Sequence, residues 1–147
     1  MQYNNWRKER IQVKISRVYK LYKGDKLYNK EKYIYKLNLD YVPDLISFND
    51  TKRQLVIRKF GESFANLSLK ERLIYYNKCK ELYYKFHADT GFYLYDYRPQ
   101  NILIDKETGE MKLIDFEYYG INQDIWKSNV NFLKKIGVLN LNYIHND

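Results

Sequence analysis

Asp96 and Asn101 stand five residues apart in the run Tyr95-Asp96-Tyr97-Arg98-Pro99-Gln100-Asn101-Ile102-Leu103-Ile104, and Asp115 lies downstream in Leu113-Ile114-Asp115-Phe116-Glu117. One carboxylate to orient an attacking hydroxyl, with an amide and a second carboxylate to hold a divalent metal, is the set that phosphoryl transfer from a nucleotide requires. Pro99 fixes the loop so that Asp96 and Asn101 can face one cavity while the apolar residues behind them are buried. Asp115 follows the apolar pair Leu113-Ile114, where the partner strand of a hairpin would end beside the first loop. The plain alternative is a polar turn with two incidental acids.

The elements expected to position these groups follow from hydrophobic period and turn chemistry. From Arg10 to Tyr22 the residues alternate, with Ile11, Val13 and Ile15 on one side, which predicts strand structure. Lys23 to Lys26 read as a turn, and Leu27, Ile34 and Leu37 predict a helix over 27–39, stopped at Tyr41-Val42-Pro43-Asp44. Leu45–Phe48 and Gln54–Phe60 flank Asn49-Asp50-Thr51-Lys52 as a hairpin. Ser68, with Glu71 three residues on, predicts a capped helix running to about Phe86, with Leu69, Leu73, Tyr76, Leu82, Tyr83 and Phe86 as its apolar face. Short strands follow at Phe92–Leu94, Ile102–Ile104 and Met111–Ile114, with a loop at 105–110, and a last helix over Gln123–Ile136 ended by Gly137. This order reads as an α+β fold, and 147 residues predict one domain.

Composition sets outer limits. No run approaches the ~20 apolar residues of a membrane helix, and Met1 to Lys8 lead into no apolar signal-peptide core. A single cysteine, Cys79, forms no internal disulfide, which points to a reducing, intracellular and cytoplasmic setting. Asn49-Asp50-Thr51 and Asn66-Leu67-Ser68 match the glycosylation pattern by chance in that setting. The net charge of +8 favours an anionic partner such as nucleotide, nucleic acid, phosphoprotein or acidic membrane surface. The 17 tyrosines admit a stacking surface for single-stranded nucleic acid, but their company of Lys, Asn and Ile reads more simply as the bias of an AT-rich viral or parasite genome. Nothing groups the basic residues on one face, which ranks nucleic acid last among the partners.

The order and hydrophobic frame of Asp96, Asn101 and Asp115 resemble the catalytic loop and metal-binding segment of protein kinases and their small-molecule kinase relatives. The resemblance implies a minimal kinase-like fold: a small antiparallel sheet with one helix over 1–61, and an abbreviated helical part over 62–147. It implies ATP and Mg²⁺ (or Mn²⁺) as cofactors, Asp96 as the residue that orients the acceptor hydroxyl, and Asn101 and Asp115 as metal ligands. Arg98 corresponds to the basic residue that contacts the transferred phosphate, with an Arg where Ser/Thr kinases carry Lys. Val18-Tyr19-Lys20-Leu21-Tyr22 resembles the strand bearing the phosphate-binding Lys, here Lys20, and Glu31 resembles the helix Glu that pairs with it. A Lys inside a strand beside Val18 is expected to need such a partner.

Leu55 to Phe64 looks like the strand and linker that hold adenine, through backbone amides near Lys59, Phe60 and Gly61; its Gly-Glu-Ser-Phe ending resembles the casein-kinase and vaccinia-related-kinase branch. The departures are specific. No glycine occurs in the first 23 residues, Leu94-Tyr95 replace the His-Arg before the catalytic Asp, and Glu117 replaces the Gly of Asp-Phe-Gly. Asp-Phe-Glu is similar to aminoglycoside and choline kinases, which leans toward a small-molecule acceptor. Only 32 residues follow Asp115, so the resemblance covers roughly Lys20 to Glu117 and implies a fold cut short at both ends. His87 and His145 receive no catalytic role. The implied activity is transfer of a γ-phosphoryl group to a hydroxyl of a protein Ser/Thr or a small molecule; the alternative is a pseudokinase or regulatory binding module. A protein partner completing the helical part, or a homodimer, stays open.

Overall fold

The structure, a computed structural model, describes residues 16–124. The chain divides into two compact units, Met1–Phe60 and Gly61–Asp147, each a mixture of helix and small antiparallel sheet. Among the described residues no helix is long and apolar enough to cross a membrane.

The N-terminal unit holds strand β1 (Arg17–Leu21), helix α1 (Asp25–Lys36), strand β2 (Leu45–Asn49) and strand β3 (Gln54–Arg58). The antiparallel sheet has the order β1-β3-β2, so β3 lies in the middle, and its Leu55, Val56 and Ile57 are buried. The alternation expected from Arg10 is found as a strand from Arg17; Ile11, Val13 and Ile15 lie outside the described residues. In α1, Tyr28, Glu31, Ile34 and Tyr35 recur at helical spacing and are buried. The helix starts at Asp25 rather than Leu27, since a carboxylate in the first turn suits the positive end of the helix dipole. It stops at Lys36 rather than Leu39 because Asn38 takes a left-handed backbone (φ 57) that closes the last carbonyls. Between β2 and β3, Asn49 Oδ1 accepts from the Lys52 N–H at 3.0 Å, and Arg53 takes the left-handed turn position (φ 51).

The C-terminal unit runs β4 (Glu62–Ser63), a 3-10 turn (Phe64–Asn66), α2 (Leu69–Ile74), α3 (Tyr76–Thr90), β5 (Tyr93–Leu94), a second 3-10 turn (Pro99–Asn101), β6 (Ile102–Ile104), β7 (Met111–Leu113) and β8 (Tyr119–Gly120). Its strands form a three-stranded sheet, β4-β6-β7, and a two-stranded ribbon, β5-β8. The two-residue strands β4 and β8 carry too little pattern to be read from sequence.

The single helix expected from Ser68 to Phe86 is two helices. Ser68 and Glu71 do form the reciprocal capping box, but Tyr75 leaves helical geometry (φ −101, ψ 8). The Tyr75 N–H donates to the Arg72 carbonyl, tightening the last turn of α2, and its ring meets Phe64 edge-on at 6.4 Å. The break resets the helical phase: Leu69 and Leu73 are exposed, whereas Cys79, Leu82, Tyr83 and Phe86 of α3 are buried. Helix α3 runs on to Thr90, where Gly91 supplies a left-handed cap (φ 80). His87 stacks on Tyr93 at 4.0 Å, a packing role. The helix expected over 123–136 lies outside the described residues beyond Asp124, as does His145.

Burial pushes the Cys79 thiol up to about 12. A thiol whose folded pKa stands above its unfolded value of ~8.5 contributes stability that is full below that pH and lost as pH rises toward the folded value. Urea midpoints are therefore expected to fall between about pH 8.5 and 12, and Cys79→Ala to flatten part of that fall. A thiol reagent at pH 8 should label Cys79 only in urea; prompt labelling of the native chain contradicts the burial.

Candidate functional site

In the N-terminal unit the predicted Lys20 and Glu31 meet. Lys20 lies opposite Leu55 and Val18 opposite Ile57 in the β1–β3 ladder, so the Lys stem runs along an apolar cross-strand surface. Only Tyr22 to Gly24 separate β1 from α1, which places Glu31 two turns into the helix and facing back toward the strand. Lys20 Nζ lies 2.6 Å from Glu31 Oε1, and the Tyr22 hydroxyl donates to the same oxygen. Glu31 is 0% exposed; a buried carboxylate is tolerated only with charged and hydrogen-bonding partners of this sort. Lys20 Nζ also sits 5.2 Å from the Tyr22 ring centroid. Sequence reasoning did not single out Tyr22, although the strand period puts it on the face of Lys20.

Helix α1 is also fastened to the β2–β3 turn. The Tyr28 hydroxyl donates to Asp50 Oδ1 at 2.6 Å, Lys32 Nζ reaches the same oxygen at 2.9 Å, and Arg53 Nε pairs with Asp25 at 2.8 Å. The hydrogen bond from Tyr28, then that from Lys32, holds the Asp50 carboxyl below its usual range. Burial, then the bond to Asp50, pushes the Tyr28 phenol up to about 12.

Of the three residues expected to offer backbone amides to adenine, Lys59 donates its N–H to the Ser16 carbonyl at 2.5 Å. Phe60 is half-buried. Gly61 has a left-handed backbone (φ 48), and a Cβ there would lie 2.2 Å from the Ile104 carbonyl oxygen. That close approach goes with the pairing of Glu62 opposite Ile104 and requires glycine.

In the C-terminal unit, Asp96, Arg98, Asn101 and Asp115 come from two loops joined by backbone bonds. Pro99 opens the 3-10 turn, whose end is fixed by the Asn101 N–H donating to the Arg98 carbonyl at 2.9 Å. Asn101 is buried; its Nδ2 donates to the Asp96 carbonyl at 2.8 Å and approaches Asp96 Oδ2 at 3.4 Å. These bonds leave Oδ1 as the amide atom able to ligate a metal. Arg98 Nε lies 3.3 Å from Asp96 Oδ1.

The β6–β7 register pairs Ile102 with Leu113, and the Ile114 N–H donates to the Asn101 carbonyl at 3.0 Å. Asp115 thus follows directly on the residue bonded to Asn101. Its backbone is left-handed (φ 73), a sparsely populated conformation for a non-glycine residue. Phe116 anchors it, fully buried and stacked on Phe86 of α3 at 5.7 Å. An amide oxygen and a carboxylate are hard donors of the type that suits Mg²⁺.

No family model matches the chain, and no curated protein does. Among solved structures, the chain is similar to the bifunctional kinase-methyltransferase WbdD, with a TM-score of 0.55 and 18% identity. The fold is α+β and is similar to part of that kinase-methyltransferase. The match covers 79% of this chain and 27% of that one, so the chain spans about a quarter of its neighbour. A likeness at this identity concerns architecture, and the roles of individual residues rest on their own geometry.

Two substitutions check that geometry. Glu31→Ala removes the acceptor shared by Lys20 and Tyr22 and is expected to cost about 2–3 kcal/mol in urea denaturation. Glu31→Gln, which keeps an oxygen of the same reach and nearly the same volume, should cost less; equal losses would assign the effect to the lost negative charge and not to the shared acceptor or to volume. Gly61→Ala, forced against the Ile104 carbonyl in a left-handed backbone, should cost roughly 2–4 kcal/mol, and an unchanged midpoint would contradict the approach.

Proposed function

We propose that this chain is an ATP-dependent phosphotransferase that moves a γ-phosphoryl group to an acceptor hydroxyl. The observation that carries the reading is the tie between Asp96, Asn101 and Asp115: Asn101 bonds Asp96 through its side chain, and its carbonyl accepts from the residue before Asp115. Asp96 orients the hydroxyl and receives its proton as the new oxygen–phosphorus bond forms and the β–γ bridge bond breaks, releasing ADP. Asn101 Oδ1 and the Asp115 carboxylate would hold Mg²⁺ or Mn²⁺, which neutralises charge on the phosphates. Lys20, held by Glu31, is assigned to the nucleotide phosphates, and Arg98 to the transferred group. Phe60 and Gly61 are the remaining backbone candidates for adenine. Catalysis in this scheme is positioning and electrostatic stabilisation.

The acceptor is a protein Ser/Thr or a small molecule, and Asp115-Phe116-Glu117 favours the small molecule by its likeness to that branch. A cytoplasmic setting and a further protein partner belong to the same proposal. One observation favours a second reading, a pseudokinase or regulatory binding module. Arg98 Nε and Asn101 Nδ2 both lie against the Asp96 carboxylate, as they would in a loop kept for structure.

Thermal-shift titration with ATP, with and without Mg²⁺, tests the site, because a ligand that binds the folded state raises the melting temperature. The wild-type chain should show a metal-dependent rise. Asp115→Ala should abolish it, whereas Asp96→Asn should keep it and lower ADP formation by about 10²-fold or more. Binding lost equally in both variants would overturn the assigned roles; binding without ADP formation in the wild type would favour the binding module.

A further inference from the structure

Asp96 is flanked by a two-residue strand and a three-residue turn, neither long enough to fix a side chain by its own ladder. Two buried tyrosines, one on α3 and one on the loop, tie the two together. The Tyr83 hydroxyl, on the helix, donates to the Leu94 carbonyl on the loop side at 3.1 Å. The Tyr97 hydroxyl, on the loop, donates to the Cys79 carbonyl on the helix at 2.6 Å. Their rings pack against each other at 4.8 Å between centroids. The two bonds run in opposite directions and bracket Asp96, two residues before it and one after. Asn101 holds the Asp96 carbonyl itself.

We propose that Tyr83 and Tyr97 form a reciprocal clamp that sets the position of Asp96, and that both are positioning residues for the transfer; this rests on the phosphotransferase reading above. Rings alone would fill the space between helix and loop, and phenylalanine would supply them. The hydroxyls add direction: each turns a packing contact into a fixed distance between one element's side chain and the other's backbone. Burial, the largest cause in each case, raises both phenols above their ordinary value, so both hydroxyls stay protonated donors through the neutral range.

Tyr83→Phe and Tyr97→Phe keep the rings and remove one bond each. In the full chain the readouts are hydrogen–deuterium exchange of the peptide spanning 93–101, Mg–ATP affinity by thermal shift, and the steady-state rate of ADP formation. Each variant is expected to raise exchange in that peptide, lower kcat about 10-fold and leave the KM for ATP within about two-fold. The double variant should lose little more than the worse single one, since both bonds serve one position. Unchanged exchange, or an unchanged kcat, overturns the clamp. A wild-type chain that binds Mg–ATP without making ADP sinks the transfer reading instead. Exchange then decides alone: raised in the variants it upholds the clamp, unchanged it removes it. Should one variant fail to fold, the other removes the opposite bond and carries the same test.

Discussion

Strands of two or three residues cannot hold a loop. Among the described residues of the C-terminal unit every strand is that short, and the backbone around Asp96 and Asp115 depends on α3 as its post. Phe86 stacks on Phe116, one residue after Asp115, and meets Tyr119 of β8 at 6.3 Å. Leu94, Tyr97 and Phe116 are all buried, and each lies within two residues of a polar group assigned to the chemistry. Apolar packing against one rigid helix therefore fixes the loops, and hydrogen bonds between loops set the finer distances.

The N-terminal unit solves a different problem. A carboxylate that is 0% exposed has to sit between sheet and helix, beside a lysine that is 29% exposed. Glu31 answers it by accepting from both Lys20 and Tyr22, so that the carboxylate is neutralised by one donor and hydrogen-bonded by a second. Ile34, Leu55 and Ile57 of the same unit are buried too, and an ionised carboxylate without such donors is untenable in an apolar core.

Legibility in the sequence followed the range of the interaction. The β2–β3 hairpin, the Ser68 cap and the β6–β7 pair are local, and their turn residues and alternation announce them. Lys20, in a strand beside Val18, was expected to need some partner, and it was the resemblance to kinases that singled out Glu31. The break at Tyr75 was not: Leu69, Leu73 and Tyr76 keep a helical period straight through it, and only the tertiary contact with Phe64 marks the spot. The strands β4 and β8 exist through their partners β6 and β5 and have no pattern of their own. The same holds for the tyrosines. In a chain with 17 of them, composition hides which hydroxyls bridge elements and which only face water.

The fastenings of α1 differ in how they meet dissolved ions. Glu31 is 0% exposed, whereas Asp50 and Asp25 are 64% and 76% exposed. Counter-ions at physiological concentration screen charges in water over ~8 Å but scarcely enter a dry interior. Added salt therefore weakens the Lys32–Asp50 and Arg53–Asp25 pairs more than the Lys20–Glu31 pair, whereas the bond from the buried, neutral Tyr28 hydroxyl to Asp50 is not an ion pair to be screened. The ionic part of the hold of α1 on the β2–β3 turn thus varies with the solution, and the part made by Tyr28 and the buried face does not.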